Sequence, residues 1–354
     1  MEPKVYFAKL ADGSGPETQA KAAGRVLKAC GTGKIIGKSD MVLVKVHVGE
    51  KNNTTHVRPE VVAEVVRLAK KAGGQPFLTD TATLYKGERE NAIKHALHAE
   101  RHGFSIAATG APFLAIDGLS GSYEREVKIS ARKKVKIAAE VFMSDSMIVV
   151  THVTGHIEAG LGAAIKNVGM GLASRAGKMR QHSTIMPEVK PDKCEGCGKC
   201  RKWCPKDAIG EKEGISYIRQ EDCIGCGECL AVCRFGAIKY DYKVESPRLQ
   251  KNMAEHAAGA VKHFGDKAVY LNVMADMTKD CDCINRKQKK MTPDIGILAS
   301  TDMVAIDQAS LDLTRKVRGK DLVEEAWPHL DPGHQIKEAE KLGLGKMEYA
   351  LVEV

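Results

Sequence analysis

A chain of 354 residues with 43% hydrophobic and 28% charged residues has the composition of a globular protein of about two domains, which argues against a disordered or fibrous chain. Its formal charge is +9, but basic and acidic residues are interspersed, so we do not expect nucleic acid as a partner. The N-terminal segment lacks an apolar signal core, and no apolar run reaches the roughly 18 to 20 residues that span a bilayer. We therefore expect a cytoplasmic protein without a membrane span.

The predicted elements alternate between strand and helix along most of the chain. Short apolar runs predict strands at 5–8, 41–46, 76–79 and 147–151, and again at 268–273 and 295–299. Helical patterns predict helices at 17–28, 59–72, 88–102, 249–264 and 303–316. This alternation indicates an α/β fold with a mainly parallel sheet. We expect one host α/β domain in two parts, residues 1–188 and 244–354, with an inserted ferredoxin-like α+β domain at 189–243.

Eight of the eleven cysteines lie in that inserted segment, in two copies of one spacing. The first copy reads C-E-G-C-G-K-C-R-K-W-C-P, and the second reads C-I-G-C-G-E-C-L-A-V-C-R. In the spacing C-x2-C-x2-C-x3-C-P, three cysteines bind one [4Fe-4S] cluster and the fourth binds its neighbour. We therefore predict two [4Fe-4S] clusters, with Cys194, Cys197, Cys200 and Cys233 as ligands of the first and Cys223, Cys226, Cys229 and Cys204 as ligands of the second.

Other uses of these cysteines fit the spacing less well. A zinc site would take two C-x2-C pairs and leave no use for a third cysteine at the same interval. Disulfide frameworks are typical of short secreted chains. Bound clusters would also lower the net charge, because eight thiolates and two oxidised cores of about +2 each bring the formal +9 to about +5. We expect the glycines between the cysteines to adopt positive φ angles, which lets amide groups approach the sulfurs.

A glycine-rich stretch at 151–182 follows the strand predicted at 147–151 and contains T-H-V-T-G-H and G-A-A-I-K-N-V-G-M-G. Open α/β sheets bind ligands beyond the carboxyl ends of their strands, so this stretch predicts a metal, phosphate or cofactor site. A glycine-rich helix-packing segment with two hydrogen-bonded histidines is the alternative. The candidate residues are His152, His156 and Lys166 for catalysis, and Asn167, Gly169 and Gly171 for cofactor binding.

The run D-C-D-C at 280–283 follows the strand predicted at 268–273. Two thiolates cannot complete a cubane, but Cys281 and Cys283 together with His152 and His156 would make an S2N2 set that suits zinc or iron. The other interpretations are a redox-active disulfide and a pair of reduced loop thiols. This run therefore predicts an additional metal or redox site.

Several strands are predicted to end in further polar residues. The run K-V-H-V-G-E at 45–50 offers His47 as an acid-base group. T-D-T-A-T-L-Y offers Asp80, and S-T-D-M-V-A-I-D offers Asp302 and Asp307. A helix cap is the alternative for each aspartate and the favoured role of Asp302. Cys30 is expected to be an ordinary buried thiol.

Four of these runs, K-V-H-V-G-E, G-A-A-I-K-N-V-G-M-G, D-C-D-C and D-I-G-I-L-A-S-T-D-M-V-A-I-D, surround the cysteine repeat. In combination they resemble the uncharacterised iron-sulfur centre proteins of the domain-of-unknown-function 362 family, over nearly the whole chain. The resemblance implies a prokaryotic protein that serves redox reactions, and it specifies no substrate. One departure from the ferredoxin pattern is Arg234, which replaces the proline after the last cysteine. We expect ligation to survive, because the proline binds no iron, and a nearby cation to raise the potential of that cluster.

Three functions are compatible with these patterns. The first is an oxidoreductase that relays electrons through two clusters to a small-molecule substrate or second cofactor in the host domain, with a redox partner protein as donor or acceptor. The second is a ferredoxin-like carrier or scaffold whose host domain docks partner proteins without catalysis. The third assigns the clusters a structural role in a nucleic-acid-binding protein. The sequence has neither a G-x-G-x-x-G after a strand nor a Walker motif, so no flavin or nucleotide is predicted.

Overall fold

The computed structural model describes residues 2–131 and 133–354. The strands in these residues are β1 (Lys4–Lys9), β2 (Met41–Lys45), β3 (Gln75–Asp80), β4 (Phe113–Ala115), β5 (Glu124–Lys128), β6 (Lys134–Ala138), β7 (Ser146–His152), β8 (Thr154–His156), β9 (Gly160–Gly162), β10 (Glu188–Val189), β11 (Ile209–Lys212), β12 (Ile215–Ile218), β13 (Ile238–Lys239), β14 (Ala268–Met274), β15 (Gly296–Ser300) and β16 (Ala350–Glu353).

The helices in the same residues are α1 (Pro16–Ala29), α2 (Thr32–Ile35), α3 (Pro59–Lys71), α4 (Ala92–Arg101), α5 (Ile106–Thr109), α6 (Ala164–Gly171), α7 (Arg175–His182), α8 (Lys199–Lys202), α9 (Glu228–Val232), α10 (Ser246–Val261), α11 (Met303–Arg318), α12 (Leu322–Ala326) and α13 (Gly333–Lys341). None of these described helices combines the length and the apolar character needed to traverse a lipid bilayer.

A sheet with the strand order β16-β1-β15-β14-β7-β2-β3-β4 forms the centre of the fold. Its neighbouring strands are parallel except at β15, which runs antiparallel to both β1 and β14. The prediction of a mixed α/β fold with a mainly parallel sheet is therefore confirmed. In the parallel register Lys45 lies opposite both Thr79 and Val149, so the carboxyl ends of β2, β3 and β7 share one edge of the sheet.

Both faces of this sheet are covered by helices. Successive side chains of a strand point to opposite faces, and in β2 Val42 and Val44 pack into one core while Leu43 packs into the other. The first core includes residues of α1 and α3, and the second includes residues of α6, α10, α11 and α13. The result is a three-layer arrangement in which loops at the strand ends remain free to form a site.

Residues 188–239 lie outside the central sheet. In this segment β10 pairs with β13, with Glu188 opposite Lys239, and β11 pairs with β12. The short helices α8 and α9 each begin after a glycine with a left-handed backbone, Gly198 and Gly227. Because β10 and β13 are neighbours, the start and the end of the segment lie side by side.

The helix predicted at 88–102 begins later, at Ala92, because the side chain of Asn91 caps it by accepting a hydrogen bond of 3.0 Å from the Lys94 amide. The preceding residues form a loop that buries Arg89 to 3% exposure. The helix predicted at 249–264 begins earlier, at Ser246. The predicted cap at Asp302 is confirmed, since its carboxylate accepts from the amides of Val304 and Ala305 at the start of α11.

Candidate functional site

A cavity of about 560 Å³ opens at the carboxyl ends of β2, β3 and β7. The loop that carries D-C-D-C closes one side, and the loop between β3 and α4 closes another. Of the residues predicted from the sequence, His47, His152, His156, Lys166, Asn167, Gly171, Cys281 and Cys283 line this cavity. Segments far apart in the chain thus meet at the edge where parallel sheets place ligands.

A buried group of charges forms the floor of the cavity. Asp80 Oδ1 lies 3.1 Å from Lys45 Nζ, and its Oδ2 lies 3.2 Å from Arg89 Nη1. The Arg89 guanidinium also pairs with Glu50 at 2.8 Å. Burial alone would raise the pKa of Asp80, but the neighbouring cations, led by Lys45, lower it to about 2. Asp80 is therefore an anion that neutralises part of a cationic floor, and not the cap of a helix.

Two lysines carry positive charge into the cavity with few counter-charges. Among the described residues, neither a hydrogen bond nor an ion pair ties the ammonium of Lys166, and burial beside Arg89 and Lys45 lowers its pKa to about 8. Lys178 donates to the carbonyl of Ala82 at 2.6 Å, and burial lowers its pKa to about 8 as well. Near neutral pH both ammonium groups are largely protonated, so the cavity suits an anionic ligand.

The hydrogen bonds of two histidines fix the position of the ring proton. His47 Nδ1 accepts from the Gly49 amide at 3.1 Å, and His156 Nδ1 accepts from the amides of Glu158 and Ala159 at 3.2 and 3.0 Å. An amide N–H can only donate, so a neutral ring in either place carries its proton on Nε2. Burial lowers the pKa of both histidines well below the usual value. Each is thus a neutral ring with an Nε2–H group available as a donor.

His152 does not join Cys281, Cys283 and His156 in the predicted S2N2 metal set. Its Nδ1 lies 2.9 Å from Asp282 Oδ2, and its Nε2 lies 3.0 Å from the carbonyl oxygen of Ala275. Burial would lower the pKa of His152, but the Asp282 carboxylate raises it. The pair is therefore a buried imidazolium and carboxylate that anchors the D-C-D-C loop to the end of β7, and neither ring nitrogen is free to bind a metal.

His156, Cys281 and Cys283 do come together. One nitrogen of His156 and the two sulfurs all lie within 4.8 Å of one another, and the two sulfurs are joined as a disulfide. Gly155 makes this approach possible, because a Cβ at that position would lie 2.2 Å from the carbonyl oxygen of Lys279. The Gly155 amide also donates to the carbonyl of Thr278 at 2.9 Å. The cluster is a possible metal site by proximity alone.

The predicted cofactor-binding residues of α6 also make contacts within the protein. Asn167 accepts from Lys45 Nζ at 2.7 Å and donates to the Val150 carbonyl at 3.0 Å. A Cβ at Gly169 would lie 2.2 Å from the carbonyl oxygen of Met253, so this glycine allows α6 to pack closely on α10. Gly171 lines the cavity, but a Cβ there would meet Lys45 Cε at 2.2 Å. The helix-packing alternative thus describes Gly169, and Asn167 and Gly171 position Lys45.

The eight clustered cysteines line two smaller cavities, four cysteines in each. Cys194, Cys197, Cys200 and Cys233 line one, and Cys204, Cys223, Cys226 and Cys229 line the other. The Ser216 amide donates to Cys194 Sγ at 3.4 Å, and the Ala208 amide donates to Cys204 Sγ at 3.2 Å. The glycines between the cysteines, namely Gly196, Gly198, Gly225 and Gly227, have the expected positive φ angles.

The cysteine segment packs directly against the wall of the large cavity. Leu84 lines that cavity and also belongs to an apolar cluster with Cys229 and the neighbouring Cys200, Cys204 and Cys233. Tyr240 donates to the Leu84 carbonyl at 3.0 Å, and Lys86 donates to the Arg234 carbonyl at 3.0 Å. Leu84 therefore contacts both the large cavity and the apolar cluster that contains four of these cysteines.

The site predicted from the sequence did not include Arg89 or Lys178, which complete the charged floor. Its run at 45–50 contains Lys45 and Glu50, but only His47 was singled out there. A lysine at the end of an apolar strand could have indicated a buried ion pair, because a charge that becomes buried with the strand needs a partner. Arg89 gave no such signal, since it lies in the helix predicted at 88–102.

Three comparisons with known proteins describe what the chain is similar to. The family model described as Domain of unknown function (DUF362) matches residues 42–312. No curated protein matches the chain. Among solved structures, lactate racemase apoprotein from Thermoanaerobacterium thermosaccharolyticum matches with 12% identity and a TM-score of 0.40 over 75% of this chain and 50% of that chain. A protein from Thermotoga maritima matches with 11% identity and a TM-score of 0.43 over 91% and 61%, respectively. The chain thus spans half to three fifths of the length of these two proteins.

Proposed function

The chain belongs to the family described as Domain of unknown function (DUF362), and within that family we propose that it acts as an iron-sulfur oxidoreductase. In this proposal residues 189–243 form an inserted ferredoxin-like domain with two [4Fe-4S] clusters. The host domain binds a small anionic substrate in the 560 Å³ cavity. A redox partner protein exchanges electrons with the clusters, which supply one-electron chemistry when bound.

The observation that carries the proposal is the division of eight cysteines between two cavities. Each cavity takes three cysteines from one copy of the repeat and the fourth from the other copy, which is the cross-ligation typical of two-cluster ferredoxins. Amide groups that donate to Cys194 and Cys204 would stabilise thiolate charge. The residues present therefore fit two cubane clusters in their number, chemistry and grouping.

The surroundings of the large cavity support catalysis over electron carriage alone. A protein that only docks partners has no use for a cavity into which the described residues place the unpaired ammonium of Lys166 and the Nε2–H donor of His47. Such groups recognise an anion, for which a carboxylate is the simplest example. Leu84 lines this cavity and packs in one apolar cluster with four of the cysteines, so a substrate there would bind close to the proposed source of electrons.

The cluster assignment is tested by metal analysis of full-length protein purified without oxygen. We expect about eight irons and eight acid-labile sulfides per chain, and an electron paramagnetic resonance signal after reduction with dithionite. Cys197→Ser should lose at least one cluster. Cys30→Ala is the matched control, because Cys30 lies apart from both cavities and should keep all the iron. Iron near zero after anaerobic reconstitution, or equal losses in the two variants, would contradict the assignment.

The substrate site is tested separately with malonate as a probe anion. We expect Lys166→Met to weaken malonate binding measured by calorimetry while iron content and reduction by dithionite stay unchanged. An unchanged affinity in the variant, or no malonate binding to the wild-type protein, would favour the carrier or scaffold function.

A further inference from the structure

The cluster of His156, Cys281 and Cys283 sits in the wall of the large cavity, outside the cysteine segment. Two chemistries use such a group. One is a metal ion held by two thiolates and an imidazole, and the other is a dithiol that forms and breaks a disulfide. The hydrogen bonds around the cluster distinguish them.

To bind a metal ion, a histidine must offer the ion a ring nitrogen with a free lone pair. In His156 the lone pair of Nδ1 is engaged by the amides of Glu158 and Ala159, so Nε2 carries the proton and has no lone pair to offer. The carboxylate of Asp282 is paired with His152, and that of Asp280 is paired with Arg286 at 2.6 Å. Neither aspartate belongs to the group within 4.8 Å, so among the described residues only the two sulfurs of that group remain. Two ligands fall short of the three or four protein ligands of a zinc site.

We propose that Cys281 and Cys283 form a reversible disulfide that accepts two electrons at the wall of the substrate cavity, with the Nε2–H group of His156 as hydrogen-bond donor to the sulfur that becomes a thiolate. This inference rests on the proposed function for the delivery of electrons. The cysteine pair would store two electrons on the chain itself, whereas each cluster would provide one electron at a time.

Reduction of the disulfide takes up two electrons and two protons. The S–S bond breaks, two electrons enter from a low-potential one-electron donor protein, and two protons are taken up to give two thiols. The Lys166 ammonium lines the same cavity as both sulfurs and can supply one of these protons, after which water in the cavity reprotonates it. A neutral His156 is not an acid strong enough to give up its proton, but its N–H stabilises the first thiolate, as a hydrogen bond to a charged group does.

The loop is built to keep the sulfurs in place through this cycle. The Asp282 carboxylate between the two cysteines is held by His152, and the Asp282 carbonyl accepts from the Glu50 amide at 2.9 Å. Cys281 is 6% exposed, Cys283 is half-buried, and both residues lie in the cavity wall. Gly155 keeps β8, and with it His156, against the loop.

The test is the redox state of the pair in the full-length protein with its clusters, measured by trapping thiols with iodoacetamide and weighing the peptide that contains residues 281–283. In buffers of oxidised and reduced dithiothreitol we expect a single transition from no added group to two added groups, with two electrons per transition. With excess reduced methyl viologen the peptide should also carry two groups. Two free thiols at every ratio, or one zinc or iron per chain that Cys281→Ser and Cys283→Ser remove, would overturn the proposal.

The role of His156 is tested by the pH dependence of alkylation of the reduced pair. Loss of the N–H donor in His156→Phe should raise the pKa of the reactive thiol, so alkylation at pH 7 should slow by about tenfold for a shift of one pKa unit. His334→Phe, at a half-exposed site outside the cavity, is the matched control. An identical pH profile in both variants would refute the assignment of His156.

Iron is counted on the same samples, which separates the two proposals. A protein without clusters whose cysteine pair still titrates with dithiothreitol would contradict only the proposed function. A protein with eight irons whose pair never oxidises would contradict only this inference.

Discussion

Replacement of Asp80 by asparagine removes the carboxylate that two buried cations share. Asp80 lies 3.1 Å from Lys45 and 3.2 Å from Arg89, and all three side chains are at most 3% exposed. Asparagine has nearly the same shape but no charge, so Glu50 would remain as the counter-charge of Arg89, and Lys45 would lose its own. We therefore expect Asp80→Asn to lower the free energy of unfolding.

The size of the effect follows from the pKa and from the burial. The pKa of Asp80 falls from 3.8 to about 2, which at 1.36 kcal/mol per unit corresponds to roughly 2 kcal/mol. A lowered carboxyl pKa stabilises the fold above the unfolded value, so this contribution is complete at pH 7 and is lost as the pH falls toward 2. Loss of one partner of a buried ion pair costs about 3 to 5 kcal/mol. We expect a loss of about 2 to 5 kcal/mol at pH 7.

The assay is urea unfolding of anaerobically purified protein at pH 7, followed by circular dichroism. Asp266→Asn, at an exposed site, is the control and should change the free energy of unfolding by less than about 0.5 kcal/mol. The double variant Lys45→Met, Asp80→Asn should recover part of the loss, because it also removes the orphaned ammonium. A loss below about 1 kcal/mol in Asp80→Asn, or no recovery in the double variant, would refute the reasoning.

Three further predictions concern the cysteines, the loop contact and the cavity charge. Cys204→Ser should remove the cluster held with Cys223, Cys226 and Cys229, so iron analysis should show about four of eight irons lost, and retention of all eight would contradict the cross-ligation. Gly155→Ala places a Cβ 2.2 Å from the Lys279 carbonyl oxygen and should cost about 1 to 3 kcal/mol in urea unfolding, whereas Gly33→Ala, which meets open space, should cost nothing. Malonate affinity should fall as the pH rises through about 8, where the Lys166 ammonium loses its proton, and this dependence should be smaller in Lys166→Met if the charge is the cause.

Much of the fold could be predicted because the apolar runs of β2, β7 and β14 are short, continuous and flanked by helical patterns. The orientation of β15 could not, because an apolar run has the same composition whichever way the strand points. β4 and β16 have half-buried or exposed side chains, so their hydrophobic signal is weak. The start of α4 depends on a cap at Asn91, which competes with an equally acceptable helical pattern from residue 88.

The location of the site could be predicted more readily than the role of each residue in it. His47, His156, Lys166 and the D-C-D-C cysteines meet in one cavity because each follows a strand of the same sheet. The roles of Asn167 and Gly169 depend on Lys45 and Met253, which lie more than eighty residues away in the chain, and no local pattern contains such partners. His152 was predicted as a metal ligand, but Asp282 engages the nitrogen that a metal would need.

The pairing of β10 with β13 means that the segment between them can be removed or replaced. Since Glu188 and Lys239 are opposite one another in register, the chain enters and leaves the cysteine segment across the width of one strand pair, about 5 Å. A two-residue turn can join such a pair, so the segment between them can be exchanged or deleted with little displacement of α7 and α10. A shortened chain of this kind should retain the sheet and the charged cavity, so the proposed electron supply would be a replaceable part.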